Sequence, residues 1–191
     1  MVEPLPPAFR AGGFDCGEPD LTDYLCDGTA ARDEASGMAR TYLVRNEKGL
    51  VGYFSVLADA IRLETRERPR DCPYSAAPAL KLGRMGVARE HRGQRVGAWI
   101  LDYVVGLARE LSAQAGLRYV TLDALKRDKL VAWYARYGFL RNGGHEKGLA
   151  KLRSLASRNE LTHVSMRFDI LLARELLDGV PPDHLPEGNR T

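Results

Sequence analysis

The sequence of 191 residues, with 45% hydrophobic and 28% charged residues, has the length and composition of one soluble globular domain. It contains no apolar run long enough to span a bilayer and no signal-peptide core, which argues against a membrane protein. Its cysteine usage predicts a reducing, cytoplasmic environment. Three cysteines without a C-x-x-C pair and four scattered histidines argue against a disulfide framework and a zinc site.

The net charge of +3 is unevenly distributed along the chain. Residues 62–95 contain nine Lys/Arg and four Asp/Glu, and residues 141–158 contain five and one, which gives local net charges of +5 and +4. Residues 15–34 contain one and seven, a net charge of −6. The two basic segments predict a surface for a polyanion, separate from an acidic face. Solvated loops are the alternative, and charge runs in general favour it.

The first half of the chain predicts a helix and a β-hairpin. Residues 1–13 are rich in Pro and Gly and predict a loose leader or a short edge strand, followed by a turn at 14–17. A helix begins at Pro19 and ends near Gly28 or continues to Ser36. The β-rich runs 40–45 and 50–59 flank the turn sequence N-E-K-G and predict the hairpin. Residues 62–78, with many charges and three prolines, predict a long exposed loop.

The second half predicts alternating strands and helices within a single domain, 1–191. A buried strand near 80–87 leads through a Gly-containing loop into a helix that ends near Gly116, and 117–124 form the next strand. Asp128 is predicted to cap a short helix that Gly138 ends. Phe139 starts a strand, 142–158 form a Gly-rich basic loop, 161–170 the last strand and 170–177 a terminal helix. The tail 180–191 is predicted to be loose.

The segment Arg92 to Ala98, R-G-Q-R-V-G-A, is called the anion loop here. Glycines between a strand and a helix allow a sharp turn, and backbone N–H groups at a helix N-terminus favour a phosphate or pyrophosphate. Neither GxxxxGK[ST] nor GxGxxG is present, which disfavours a nucleoside-triphosphate or nicotinamide site. An ordinary strand-to-helix turn with solvated arginines is the alternative.

The anion loop and a second motif, W-Y-x-x-Y-G-F at 133–139, together resemble the Gcn5-related N-acetyltransferase (GNAT) family over residues 41–168. The resemblance implies an α/β (α+β) fold, with a mixed central sheet splayed at the acetyl-CoA site and flanked by helices. It implies acetyl-CoA as co-substrate and no metal. By resemblance, the pantetheine arm would bind to the backbone of Met85, Gly86 and Val87. The pyrophosphate would bind to the anion loop, formed by Arg92, Gly93, Gln94, Arg95, Val96, Gly97 and Ala98. Arg95 stands where the family usually has glycine.

Tyr134 matches the family tyrosine that protonates the departing CoA thiolate. A phenol with a pKa of about 10 is a plausible proton donor near neutral pH, and expulsion of a thiolate is helped by such a donor. A packing role beside Trp133 and Tyr137 is the alternative, and Tyr137 is the less favoured acid. Asp123 is a weak candidate for the general base, and water is the alternative.

A narrower resemblance lies in the F-D-C-G turn at 14–17, in Leu21, Tyr24 and Leu25, and in the runs 39–44 and 51–55. These are similar to acetyltransferase toxins of toxin–antitoxin pairs. That resemblance implies acetylation of the α-amine of aminoacyl-tRNA, with the basic segments contacting the tRNA backbone. It makes Cys16 structural, and it implies a small antitoxin, with a homodimer as a further option. The alternatives are a GNAT enzyme acting on a small-molecule or protein amine, and a non-catalytic acetyl-CoA-binding regulator.

Overall fold

The computed structural model describes residues 1–7, 9–70, 72–148 and 162–172. The strands are β1 (Val2–Pro4), β2 (Arg40–Asn46), β3 (Gly49–Arg62), β4 (Ala76–Val87), β5 (Tyr119–Leu125), β6 (Leu140–Arg141) and β7 (His163–Asp169). The helices are α1 (Pro19–Cys26), α2 (Thr29–Ala35), α3 (Val96–Ser112) and α4 (Asp128–Tyr137). The strands form one mixed sheet in the order β1-β2-β3-β4-β5-β7-β6. Within the described ranges, no helix is long and apolar enough to cross a membrane.

The N-terminal strands confirm the predicted hairpin and the edge strand. β2 and β3 pair antiparallel from Arg40↔Val56 to Asn46↔Gly49, and β1 adds antiparallel to β2. The turn forms because the Asn46 side-chain oxygen accepts the Lys48 N–H at 2.9 Å and Gly49 takes a φ of 127°. Residues 2–4 are thus a strand rather than a loose leader.

The first helix begins at Pro19, as predicted, and ends at Cys26. Gly28 takes the left-handed conformation, with φ 86°, which a residue with a side chain adopts only at a cost. Asp27 then accepts the Thr29 N–H at 2.7 Å and starts α2, which extends to Ala35. The chain therefore forms two consecutive helices: α1 ends close to the predicted end at Gly28, and α2 ends close to the predicted end at Ser36.

The prediction of a long exposed loop over 62–78 is wrong at both ends and in part at its centre. β3 continues to Arg62 and β4 begins at Ala76, so Pro78 lies in a strand, where its C=O accepts the Arg118 N–H at 3.0 Å. Leu63 is buried, and the connection contains a short 3-10 turn, Thr65–Glu67. The prolines favour a loop here, but the apolar residues next to the charged run are buried, and this burial extends the ordered structure into the predicted loop.

The C-terminal third differs from the predictions in two places. Asp128 is the first residue of α4 rather than its cap, because Arg127 occupies the N-cap without a side-chain bond. Gly138 does end the helix, with φ 112°. Residues 143–148 are helical, not a loop, while 149–158 lie outside the described residues. The predicted strand at 161–170 is confirmed as β7, and the predicted helix beyond 172 and the tail 180–191 fall outside the described residues.

The chain divides into two compact units, Met1–Ala58 with Lys81–Gly106, and Asp59–Leu80 with Leu107–Thr191. The first unit has a core made by nine buried residues: Leu5, Phe14, Cys16, Tyr24, Leu25, Ala30, Leu43, Tyr53 and Ala88. The second contains a buried cluster of Ile61, Leu63, Ala77, Ala79 and Tyr119. The first core packs the N-terminal turn and α1 against β2 and β3, and this arrangement supports the site described next.

Candidate functional site

The end of β4 carries the predicted pantetheine contacts, Met85, Gly86 and Val87. Gly86 is buried, and a Cβ placed on it would lie 2.6 Å from the Tyr53 ring and 3.4 Å from the Cys16 Cβ. Tyr53 is fixed in turn, because its hydroxyl donates to the Leu21 C=O at 2.5 Å. A side chain at position 86 would therefore displace the strand from the core beneath it.

The anion loop follows a short 3-10 turn, Arg89–His91, and contains two left-handed residues. Gly93 has a φ of 78° and Arg95 a φ of 62°. In the described part of the chain, Arg95 is the only residue other than glycine with a positive φ. Arg95 thus adopts a backbone conformation that glycine takes without strain and that costs a residue with a side chain about 1–2 kcal/mol.

The amino end of α3 presents backbone donors at the anion loop. The Trp99 N–H donates to the Arg95 C=O at 3.0 Å, which is the first bond of the helix. The N–H groups of Val96, Gly97 and Ala98 precede this bond and have no acceptor within the helix. Together with the helix dipole, these groups can bind a pyrophosphate. The sequence-predicted loop residues 92–98 are therefore continuous with a helix N-terminus, as the motif requires.

Two arginines bind the N-terminal turn, Arg92 from the anion loop and Arg89 from the 3-10 turn directly before it. The Arg92 guanidinium donates to the Cys16 C=O, and Arg89 forms an ion pair with Asp15, Nε to Oδ2, at 2.9 Å. The Arg89 N–H also donates to the Asp15 C=O at 3.1 Å. Sequence reasoning placed Arg92 at the cofactor only and missed this contact, because its partner is a backbone carbonyl 76 positions away.

Tyr134, the predicted acid, lies buried in α4. Its ring packs edge-on against Trp133 and Phe139, with centroids 4.8 Å and 5.7 Å away. Burial raises the pKa of Tyr134 to about 12, so the hydroxyl keeps its proton throughout the neutral range. The side chain can act as a proton donor and cannot act as a base at neutral pH.

The other sequence candidates, Tyr137, Asp123 and Cys16, lie in three different environments. Tyr137 contacts Phe139 and Phe168, and Gly138 follows it with a Cβ position only 3.0 Å from the Phe168 ring. Asp123 is exposed on β5. The Cys16 thiol is buried and lies 3.4 Å from the Thr22 hydroxyl and 3.6 Å from the Glu18 C=O. These contacts support a structural role for Cys16. Within the described residues, no three metal-ligating side chains come together.

Some cations of the basic segment 62–95 form ion pairs and are therefore less available to a polyanion than the composition of the segment suggests. Arg66 forms an ion pair with Glu64 at 3.1 Å, and Lys147 binds the same carboxylate at 2.6 Å. Glu67 forms an ion pair with Arg167, which sequence reasoning did not find. Nevertheless the Arg66 side chain remains 75% exposed. Arg66 and Arg68 line a surface recess of about 460 Å³ together with Glu64 and Thr65.

Comparison with known proteins gives one family and several similar proteins. The model of the acetyltransferase (GNAT) domain matches residues 38–141. A tRNA-acetylating toxin of Mycobacterium tuberculosis is 26% identical over 127 residues, which cover 66% of this chain and 75% of that protein.

Two solved structures share the fold over nearly the whole chain. AtaT complexed with acetyl-methionyl-tRNAfMet has a TM-score of 0.72 at 21% identity and covers 93% of this chain and 98% of its own. A mutant of the AtaT toxin bound to the C-terminus of the antitoxin AtaR and acetyl-CoA has a TM-score of 0.67 at 20% identity, with 93% and 97% covered.

Proposed function

The chain belongs to the GNAT acetyltransferase family, and from that premise we propose that it moves the acetyl group of acetyl-CoA to the α-amine of an aminoacyl-tRNA. It is an N-acetyltransferase with acetyl-CoA as co-substrate. The observation that carries the choice of acceptor is the likeness to the mycobacterial tRNA-acetylating toxin over two thirds of the chain. The likeness in fold to AtaT in complex with acetyl-methionyl-tRNAfMet supports it.

The proposed roles are those that the family resemblance implies, and the local geometry of each part supports them. The N–H groups at the start of α3 bind the pyrophosphate of the co-substrate, and the edge of β4 at Met85 to Val87 binds its pantetheine arm. The neutral amine of the acceptor adds to the thioester carbonyl, so that a C–N bond forms and the C–S bond breaks. Tyr134 donates its proton to the departing thiolate, and water takes the proton that the amine loses. Water regenerates the phenol afterwards.

The proposed acceptor has consequences for the partners of the enzyme. Acetylation of the α-amine prevents an aminoacyl-tRNA from forming a peptide bond as the acceptor, so translation stops. A cell that produces such an enzyme needs an inhibitor, and a small antitoxin protein is the proposed partner. Aminoacyl-tRNA is a cytoplasmic substrate, so the proposed function requires the cytoplasm.

The test is translation in vitro with acetyl-CoA, followed by mass spectrometry of the aminoacyl-tRNA pool. The wild type should stop translation and leave acetylated α-amines on charged tRNA, while the Gly97→Asp variant should do neither. Acetylation of a free amine or of protein amines, with charged tRNA unchanged, would favour the rival acceptors. Binding of acetyl-CoA without turnover on any amine would overturn an enzymatic role.

A further inference from the structure

The anion loop is held in an unusual conformation although most of it is exposed. Arg92, Gly93, Gln94 and Arg95 are exposed, and Gly93 and Arg95 are both left-handed. A non-glycine residue in that region persists only where the surrounding structure determines it. Local bonds join the loop to the turn before it: the Gln94 side chain donates to the Glu90 C=O at 3.0 Å and lies 3.1 Å from His91 Nδ1, and the Gln94 N–H donates to the His91 C=O at 3.4 Å. These bonds do not reach Arg95, so contacts from a distant part of the chain can contribute to holding the loop.

The turn Asp15–Gly17 makes the contacts that can do this. It gives one carbonyl oxygen to the loop itself, from Cys16 to the Arg92 guanidinium. It also holds the 3-10 turn directly before the loop, because the Arg89 N–H donates to the Asp15 C=O at 3.1 Å and Arg89 Nε pairs with the Asp15 carboxylate at 2.9 Å. The turn is itself fixed, because Asp15 Oδ1 accepts the Gly17 N–H at 2.6 Å and Cys16 is buried beneath Gly86. The same turn thus supports the end of β4 and the anion loop.

Gly17 favours this arrangement for two reasons. Its φ of 79° is left-handed, and a Cβ placed on it would lie 2.8 Å from Arg92 Nη2 and 3.0 Å from Arg89 Nε. Any side chain at position 17 would press against both arginines. Gly13 offers a matched comparison, because its φ of 73° is nearly the same and no atom lies within 4 Å of its Cβ position.

We propose that the turn Asp15–Gly17 is a positioning element that pre-organises the anion loop for the phosphates of the co-substrate. It acts through Arg92 and Arg89 rather than by touching the reacting atoms. A loop that is already in its binding conformation loses less entropy when the ligand binds, so the turn raises affinity without a contact of its own. The inference rests on the proposed role of the anion loop as the pyrophosphate site.

The first experiment measures the loop without any ligand, by hydrogen–deuterium exchange of peptides covering residues 88–99. Gly17→Ala should exchange faster there than wild type, whereas Gly13→Ala should match wild type, because both carry the same backbone penalty and only the first disturbs the arginines. Equal exchange in Gly17→Ala and Gly13→Ala would overturn the positioning role. This result does not depend on what the loop binds.

The second experiment is calorimetric titration of acetyl-CoA into Asp15→Ala, with Asp23→Ala as a control of equal charge change on α1. A carboxylate removed near an anion site strengthens anion binding by simple electrostatics. The positioning role predicts the opposite sign, a loss of affinity of roughly tenfold in Asp15→Ala, with Asp23→Ala close to wild type. Unchanged or tighter binding by Asp15→Ala would overturn the proposal.

The two experiments also separate this inference from the proposed function. If the anion loop is not the pyrophosphate site, Gly97→Asp will leave acetyl-CoA affinity unchanged, while the exchange difference between positions 17 and 13 remains. If the site is correct but the turn does not position it, Gly97→Asp will lose affinity, and the exchange rates at 88–99 will be the same in Gly17→Ala and Gly13→Ala.

Discussion

Arg167 and Glu67 form a buried ion pair between residues one hundred positions apart, with Nη1 to Oε1 at 3.0 Å. Both side chains are less than a tenth exposed. The Glu67 carboxylate also accepts the N–H groups of Glu64, Gly143 and Gly144 at 2.8–3.0 Å, and Arg167 donates to the Arg141 C=O at 2.6 Å. One carboxylate therefore ties the connection after β3 to the start of the helical segment 143–148 and to β7.

Glu67→Gln should destabilise the protein by about 3–5 kcal/mol at pH 7, because it leaves the buried Arg167 without its counter-charge. Burial alone would raise the pKa of Glu67, but the N–H donors and Arg167 outweigh burial and hold the pKa below its usual value. This stabilisation is therefore complete above the unfolded pKa of about 4.3 and is lost as pH falls through the folded value.

Urea unfolding at several pH values checks this prediction. The difference between wild type and Glu67→Gln should be constant from pH 7 to pH 5 and should shrink at lower pH. Glu64→Gln is the control, since the Glu64 carboxylate pairs with the mostly exposed side chains of Arg66 and Lys147. Its effect on stability should be much smaller. Equal losses in the two variants would contradict the importance of the buried pair.

Tyr134→Phe should lower turnover by roughly a hundredfold or more, within the usual contribution of a general acid, and should change acetyl-CoA affinity little. The ring and its packing against Trp133 and Phe139 are kept, so only the proton donor is lost. Because burial raises the pKa of Tyr134 to about 12, the acid stays protonated up to about pH 10. The wild-type rate should therefore show no fall between pH 7 and pH 10 from loss of this proton.

Steady-state kinetics with Tyr137→Phe as control separates the two tyrosines. Tyr137 packs among Phe139 and Phe168, and its variant should keep most of the activity. If Tyr134→Phe turned over at the wild-type rate, the role of acid would pass to Tyr137 or to water.

Gly97→Asp should reduce acetyl-CoA affinity by about tenfold or more, about 1.4 kcal/mol, because it puts a negative charge among the phosphate-binding amides. An acidic residue in the first turn of a helix is favourable for the helix itself, so the variant should fold. Gly106→Asp is the matched control on the same helix, since no atom lies within 4 Å of its Cβ position. Calorimetry should find wild-type affinity for this control, and equal losses in both variants would contradict the assigned site.

Arg95→Gly should be more stable than Arg95→Ala by about 0.5–1 kcal/mol, because glycine adopts the φ of 62° without a steric cost. Both variants lose the guanidinium, so their comparison isolates the backbone. The sign should reverse at an ordinary helical position, where Ala132→Gly, on the exposed side of α4, should destabilise the protein by about 1 kcal/mol. Thermal unfolding of the three variants measures these differences, and an Arg95→Gly that is less stable than Arg95→Ala would contradict the strain.

The predictions from sequence succeeded where local chemistry decides the structure. The hairpin around Asn46 to Gly49, the helix start at Pro19 and the helix end at Gly138 each follow from turn or capping residues next to a periodic run. The GNAT family was predicted from two short motifs and is confirmed by the domain match over 38–141. The assigned site residues stay predictions.

Contacts between distant parts of the chain could not be predicted from the sequence. Glu67 and Arg92 look like ordinary charged loop residues, and only the fold brings them to Arg167 and to the Cys16 carbonyl. The left-handed backbone of Arg95 is hidden for a similar reason, because an arginine gives no sign of positive φ. The sequence shows only that position 95 holds an arginine where the resembled family usually has glycine.

The last prediction concerns the acceptor and the first basic segment. Arg66 and Arg70 are exposed and lie on either side of Arg68, so both are accessible to phosphate. Arg66→Glu with Arg70→Glu should weaken binding of charged tRNA and slow its acetylation, while acetyl-CoA affinity stays at the wild-type value. Each lost phosphate contact should also reduce the slope of log K against log salt by about 1.

Arg10→Glu with Lys48→Glu is the control, because it reverses two exposed cations of the other compact unit with the same change in net charge. Filter binding and acetylation rates across a salt series measure both effects. Equal losses in the two double variants would indicate general charge attraction rather than a contact, and wild-type acetylation by Arg66→Glu/Arg70→Glu at every salt concentration would remove this segment from the tRNA surface.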